Sequence, residues 1–134
     1  MKYGKDIIGV GCWALIINEK NEILLLRRGN STNWETPGGK VEFEESLKDA
    51  LKREINEELN IKIQISSQFI LDEIVKKEYH WLAFYYPSKI TSGNPTIMEK
   101  KTHKELAWFP LSNPPEITES AEKAIKEYLG KQKS

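Results

Sequence analysis

The sequence predicts an α+β or α/β sandwich built on a mixed β-sheet. Three observations carry that reading. Apolar, strand-like segments lie on both sides of one helix-periodic segment. Short polar turns of hairpin type join several of those segments. A second helix-periodic segment follows the last strand. Whether the elements stack in two layers or three is open at this level.

The elements follow in chain order. "IIGVGCWALIIN", "NEKN" and "EILLLRR" read as strand, turn, strand, with β-branched or long aliphatic flanks around polar turn residues. "GNSTNWETPGGKVEFEE" is a loop, with a short strand at Lys40 to Glu42 and a tight turn at Pro37, Gly38 and Gly39. Helical periodicity runs from Glu45 to about Leu59. "IKIQISSQFILDEIV" reads as a strand, and "EYHWLAFYYPSKI" as an aromatic-rich strand ending near Pro87. "SGNP" is a turn, and "ELAWFPL" a short strand stopped by Pro110. "NPPEITESAEKAIKEYLG" is a loop and then a helix with Thr118 as N-cap, Ala121, Ile125 and Leu129 on its apolar stripe, and Gly130 as its stop. The tail "GKQKS" is slightly basic and expected to fray.

Size and composition narrow the function classes. The 134 residues suit a single domain, taken as 1–134, and 39% hydrophobic with 30% charged residues suits an ordinary globular chain. Twenty basic and twenty acidic residues balance, so no net field draws the molecule to polymeric nucleic acid or to a membrane. No apolar run approaches the roughly 18 residues of a membrane span. The opening "MKYGKDIIGVGCWALIINEK" lacks the apolar core and cleavage site of a signal peptide. The lone Cys12 excludes an internal disulfide and any cysteine-based zinc site, and is read as a small core residue. A cytoplasmic location is the expectation.

The first helix carries an apparent patterning error. With a step of about 100° per residue, Leu47, Ala50, Leu51, Ile55 and Leu59 define one arc. Glu54 and Glu58 fall inside that arc, and Glu57 at its edge, while Lys48, Asp49, Lys52 and Asn56 supply the solvent side. Like charges four residues apart repel by about 0.2–0.5 kcal/mol on an exposed helix. Partly buried and uncompensated, they cost several kcal/mol or take up protons. A divalent cation bound between them would offset that repulsion. The donors are hard oxygens with no neighbouring Cys or His, which suits Mg²⁺, Mn²⁺ or Ca²⁺ over Zn²⁺. Mg²⁺ in such a place completes its shell with water and substrate phosphates. The alternative at this level is an acidic patch satisfied by Arg and Lys from elsewhere.

The surroundings of those glutamates resemble a known family. "GKVEFEESLKDALKREINEELNI", Gly39 to Ile61, resembles the Nudix box, G-x5-E-x7-R-E-U-x-E-E-x-G-U with U a bulky aliphatic. Gly39, Glu45, Arg53, Glu54, Ile55, Glu57, Glu58 and Ile61 fit, and Asn60 stands in the place of the last Gly. Asn is the best substitute there, because it tolerates the left-handed conformation that ends a helix. "EILLLRRG", "WETPGGKVEFEE" and "ELAWFPL" extend the likeness over most of the chain. The resemblance implies a Nudix-type α/β/α sandwich.

It also implies an activity: MutT-like, Mg²⁺-dependent (or Mn²⁺-dependent) hydrolysis of a nucleoside diphosphate linked to another group. A (deoxy)nucleoside triphosphate, split to monophosphate and pyrophosphate, is favoured. Alternatives are a diadenosine-polyphosphate or other nucleotide conjugate, and a Nudix module that senses a nucleotide without turnover. Glu54, Glu57 and Glu58 with the carbonyl of Gly38 are the implied metal ligands. Glu54 and Glu57 are also the general-base candidates within the box; Glu99 and Glu105 are those from a later loop, and count as substrate contacts. Arg53 and Glu45 are implied to pair and brace the helix, with Gly39 supporting the site. Arg28 matches a phosphate-binding arginine of the family, and Lys40 is a weaker phosphate candidate. Trp34 and Tyr79 are candidates to stack on a base, whereas Trp81 is read as core. His80 and His103 are read as structural or surface residues. A homodimer is a family expectation only.

Overall fold

Strand β1 (Gly9–Ile16) explains the layering. Its side chains alternate, as a strand requires, and both faces are apolar. Cys12, Ala14 and Ile16 enter one core, and Trp13 and Leu15 the other. The computed structural model describes residues 1–132. The remaining elements are β2 (Glu22–Arg28), β3 (Trp34–Glu35), β4 (Gly38–Lys40), α1 (Leu47–Leu59), β5 (Lys62–Ile65), β6 (Ile70–Lys76), β7 (Tyr79–Ser92), β8 (His103–Pro110) and α2 (Glu119–Gln132). Of the basic tail, Gly130 to Gln132 belong to α2, and the last two residues lie outside the described residues.

A mixed sheet runs β4-β1-β7-β5, with β6 also on β7; β1 and β7 are parallel and the other pairs antiparallel. A second, antiparallel sheet runs β3-β2-β8. Helix α1 covers one side with Ala50, Leu51, Ile55 and Leu59, packed on Cys12, Ala14, Leu24, Leu26 and Tyr86. Helix α2 covers the other with Ala121, Ala124 and Ile125, packed on Leu15, Ile23, Leu25, Ala83 and Tyr85. The expected α/β/α sandwich with a mixed sheet is the fold. None of the described helices is long and apolar enough to cross a membrane.

Several boundaries differ from the sequence reading, and the following have a local reason. Helix α1 starts at Leu47, because Ser46 stays extended and its hydroxyl accepts the Asp49 N–H at 3.1 Å. The short strand lies at Gly38–Lys40 rather than Lys40 to Glu42, since Gly38 and Gly39 themselves pair with Trp13 and Cys12. The segment after α1 is two strands, β5 and β6, which share the same flank of β7 in succession. Strand β7 continues through Pro87 to Ser92. Pro87 sits where the β6 pairing has ended and the β5 pairing begins, so its missing N–H removes no ladder bond, and its carbonyl accepts from Ser66. Gly130 does not stop α2, which runs on to Gln132. Asn60, by contrast, caps α1 as expected, in the left-handed region at φ 55° and ψ 44°.

Candidate active site

The site forms where α1, the β3–β4 turn and the loop before β8 meet. Gly38 has φ +147°, a conformation open to glycine, and lies so close to β1 that a Cβ would stand 2.2 Å from the Cys12 carbonyl oxygen. This turn aims the Gly38 N–H at Glu58 Oε1, 2.9 Å away. Gly39 lies under Glu54, whose carboxyl carbon would be 2.7 Å from a Cβ at that position. The helical step thus puts both acids against the glycine turn.

The third element arrives by hydrogen bonds to the end of α1. The last carbonyls of a helix lack internal partners. Here Thr96 N–H reaches the Leu59 carbonyl and Met98 N–H the Glu58 carbonyl, both at 3.0 Å. That tether carries Glu99 next to the carboxylates. The Glu99 carbonyl accepts the N–H groups of Thr102 and His103, which turns the chain into β8.

A register shift then re-aims His103. Along β8, Leu106 and Trp108 pack on the α1 side and Phe109 on the α2 side. Regular alternation would put His103 with Glu105 on the α2 side. Instead Arg27 faces Glu105 and Arg28 faces His103, with the extra residue Lys104 between them. Such a bulge redirects a side chain. His103 is therefore buried at 3% exposure on the α1 side, its Nε2 3.6 Å from Glu58 Oε2 and 3.7 Å from Glu35 Oε1.

Arg53 organises the exposed margin. Its guanidinium donates to Glu45 at 2.6 and 2.9 Å, to Glu54 at 3.1 Å, to Glu57 at 3.4 Å and to the Lys40 carbonyl at 3.3 Å. The brace to Glu45 is present, and the same guanidinium also holds Glu54 and Glu57. That hydrogen bonding pulls the Glu45 carboxyl down to about 2. Burial pushes Glu58 up to about 8, with Glu54, Glu99 and Glu35 adding to the rise and the Gly38 N–H opposing it. Burial raises Glu54 as well, against the Arg53 charge. His103 is lowered, first by burial and then by Arg28.

The other sequence candidates divide. Arg28 is brought in, its Nε donating to Glu35 Oε1 at 3.0 Å. Glu99 is brought in. Glu105 is not: it takes Arg27 Nε at 2.6 Å on the opposite face. Lys40 turns its ammonium toward Glu42, 3.9 Å away, and over the Tyr3 ring. Trp34 packs edge-on against Phe109 on the α2 side. Tyr79 shares the α2 face of β7 and lines a groove with Asp72, Ser120 and Lys123. Trp81 packs over Gly4 and Gly9, as read. His103 and Glu35 are the residues the sequence reading missed. Glu35 had a faint signal, one step along the strand from an apolar Trp34; the bulge that places His103 had none.

The donor set suits a divalent cation. Glu58 is buried among carboxylates, and the ligand atoms of Glu58, Glu99 and His103 lie within 4.8 Å of one another. Among the described residues, neither His103 nitrogen has a hydrogen-bond partner. A group of acids beside an imidazole without a hydrogen bond leaves a place that a cation would complete.

Comparison with known proteins agrees with this geometry. The family model for the NUDIX domain matches residues 7–128. An RNA pyrophosphohydrolase of Ruthia magnifica is 36% identical over 73 residues, which are 54% of this chain and only 37% of that protein. An 8-oxo-dGTP diphosphatase of Buchnera aphidicola from Acyrthosiphon pisum is 31% identical over 70% of this chain and 82% of its own. A MutT NUDIX hydrolase from Burkholderia pseudomallei superposes with a TM-score of 0.81 at 31% identity, over 90% of this chain and 98% of that one. With the box in α1, the sandwich around it and a match along nearly the whole chain, this protein belongs to the NUDIX family.

Proposed function

We propose that this protein is a Mg²⁺-dependent pyrophosphohydrolase of nucleotides, acting on a (deoxy)nucleoside triphosphate to give monophosphate and pyrophosphate. The observation that carries the reading is the acidic face of α1: Glu54 and Glu58 against the glycine turn, Glu57 beside them, and Glu99 delivered from the β7–β8 loop. Support for the substrate class comes from the Buchnera relative, whose name gives 8-oxo-dGTP as its substrate. The unpaired Cys12 fits a cytoplasmic nucleotide pool.

Each residue has a task in this reading. Glu54, Glu57 and Glu58 would hold the cation, with the Gly38 carbonyl as a further ligand. When bound, the ion neutralises charge on the phosphoryl oxygens and makes a bound water more acidic. Arg28, kept on the site face by Glu35, binds a substrate phosphate. A water oxygen bonds to one phosphorus of the pyrophosphate as the bridging P–O bond breaks. The proton of that water passes to a carboxylate, assigned here to Glu54 with Glu99 as the alternative. Arg53 and Glu45 keep α1 fixed against the loop, so the acids hold their geometry.

The test is a nucleotide screen with Mg²⁺ and with Mn²⁺, reading pyrophosphate and phosphate release. It includes nucleoside triphosphates, nucleotide conjugates and a short RNA with a 5′ polyphosphate. Pyrophosphate release from triphosphates supports the proposal. Tight nucleotide binding without turnover on any of them would replace it with a sensing function.

A further inference from the structure

We propose that His103 Nε2 joins carboxylate oxygens of Glu58 and Glu99 as a direct ligand of the divalent cation, making this a mixed nitrogen–oxygen site that favours Mn²⁺ over Mg²⁺. The proposal rests on the reading that the carboxylate cluster binds a metal.

Three observations support it. The first is geometric. Nε2 faces Glu58 Oε2 at 3.6 Å and Glu35 Oε1 at 3.7 Å, both too long for hydrogen bonds. Two ligand atoms on one ion with bonds of about 2.1 Å stand up to about 4 Å apart. The imidazole and Glu58 already stand at such a separation. Glu99 is exposed, so its side chain is free to close the rest of the 4.8 Å span.

The second is the satisfaction of polar atoms. His103 is 3% exposed, and among the described residues neither ring nitrogen has a hydrogen-bond partner. Leaving a buried polar atom unpaired opposes folding. A cation at Nε2 would use the lone pair that the protein leaves without a donor.

The third is the device that puts the ring there. Without the extra residue between the Arg27–Glu105 and Arg28–His103 pairs, His103 would lie on the opposite face. The bulge moves an imidazole into an acidic site instead of leaving it with Glu105. Glu35 Oε1 already accepts from Arg28 Nε at 3.0 Å, which leaves Glu58 and Glu99 as the carboxylates grouped with the ring.

Imidazole nitrogen shifts preference toward first-row transition ions, while a site built on oxygen alone suits Mg²⁺. The experiment is pulsed electron paramagnetic resonance of Mn²⁺ bound to the full chain, with Mn²⁺ and Mg²⁺ affinities measured by titration calorimetry. Nitrogen coupling to Mn²⁺ in the wild type, absent in His103→Gln, is the expected result. The Mn²⁺ dissociation constant should rise on the order of 10–100-fold in that variant, and the Mg²⁺ constant much less. The wild-type spectrum needs no variant to fold. Mn²⁺ that binds without nitrogen coupling, and weakens in Glu58→Gln, overturns the histidine ligation but leaves the carboxylate site standing. Mn²⁺ that does not bind the wild type overturns both.

Discussion

Gly39 and the Glu54 carboxylate occupy adjoining space: a Cβ on Gly39 would stand 2.7 Å from the Glu54 carboxyl carbon and 2.8 Å from each of its oxygens. The obstructed group is the end of a flexible side chain, so it can move aside. Gly39→Ala should therefore fold with nearly unchanged Tm while kcat/KM drops on the order of 100-fold through displaced Glu54. Gly38→Ala should behave differently. Its Cβ would meet the Cys12 carbonyl and the Trp13 backbone at a φ of +147°, so it should lose stability as well as activity. Thermal melts beside steady-state assays separate the two; a Gly39→Ala protein with full activity would remove Gly39 from the site.

Glu58 makes a prediction about the metal-free protein. Its carboxyl is held at about 8, above its ordinary 4.5, so folding favours the protonated form. Its ionisation opposes the fold. In EDTA, the contribution of Glu58 to stability should be greatest below about 4.5, decline as pH rises from there to about 8, and then level off, by on the order of a few kcal/mol. Glu58→Gln keeps an acceptor for the Gly38 N–H and carries no charge. In EDTA at pH 8 its Tm should exceed that of the wild type, and the gap should close toward pH 5 or on adding divalent cation. A gap independent of pH would mean Glu58 is not the group responsible.

Activity should respond to the same acids in the opposite direction. Glu57→Gln and Glu58→Gln should each lose about 100-fold or more in kcat with a folded protein by circular dichroism. Near-normal turnover in both variants would sink their role as metal ligands. Comparing Glu54→Gln with Glu99→Gln through pH–rate profiles assigns the base: the variant that removes the acidic limb carries it.

Arg53 holds three carboxylates and a carbonyl with one planar group. A lysine cannot reproduce that fork. Arg53→Lys should lower both Tm and kcat, and Glu45→Gln should lower Tm more than kcat. Because the Glu45 carboxyl lies at about 2, its contribution should be complete above about 4.5 and fade as pH falls toward 2. Melts at several pH values check this.

Gly130 sits inside α2 with nothing within 4 Å of an added Cβ. Gly130→Ala should stabilise the protein by about 0.5–1 kcal/mol, read as a rise in Tm. A fall would mean that α2 does not continue past Gly130.

The sequence by itself determined the apolar strands β1 and β2, the acidic face of α1 and the Asn60 cap. These depend on local periods, two residues in a strand and about 3.6 in a helix, which the backbone imposes wherever the element sits. Glycine spacing likewise marked the turn that receives Glu54 and Glu58. Extension of β7 through Pro87 was hidden because it depends on which partner strand ends there. Stacking by Trp34 and Tyr79, and entry of Glu105 into the site, were legible as chemistry but wrong in address: strand alternation turns all three to the α2 side. Only the tertiary structure brought Glu35, Glu99 and His103 to Glu58. Their meeting depends on loop tethers to the α1 carbonyls and on one extra residue in the β8 ladder. A bulge shifts side chains between faces without leaving a mark on composition or period, so the decisive neighbour of the most buried acid could be found only once the strands were in register.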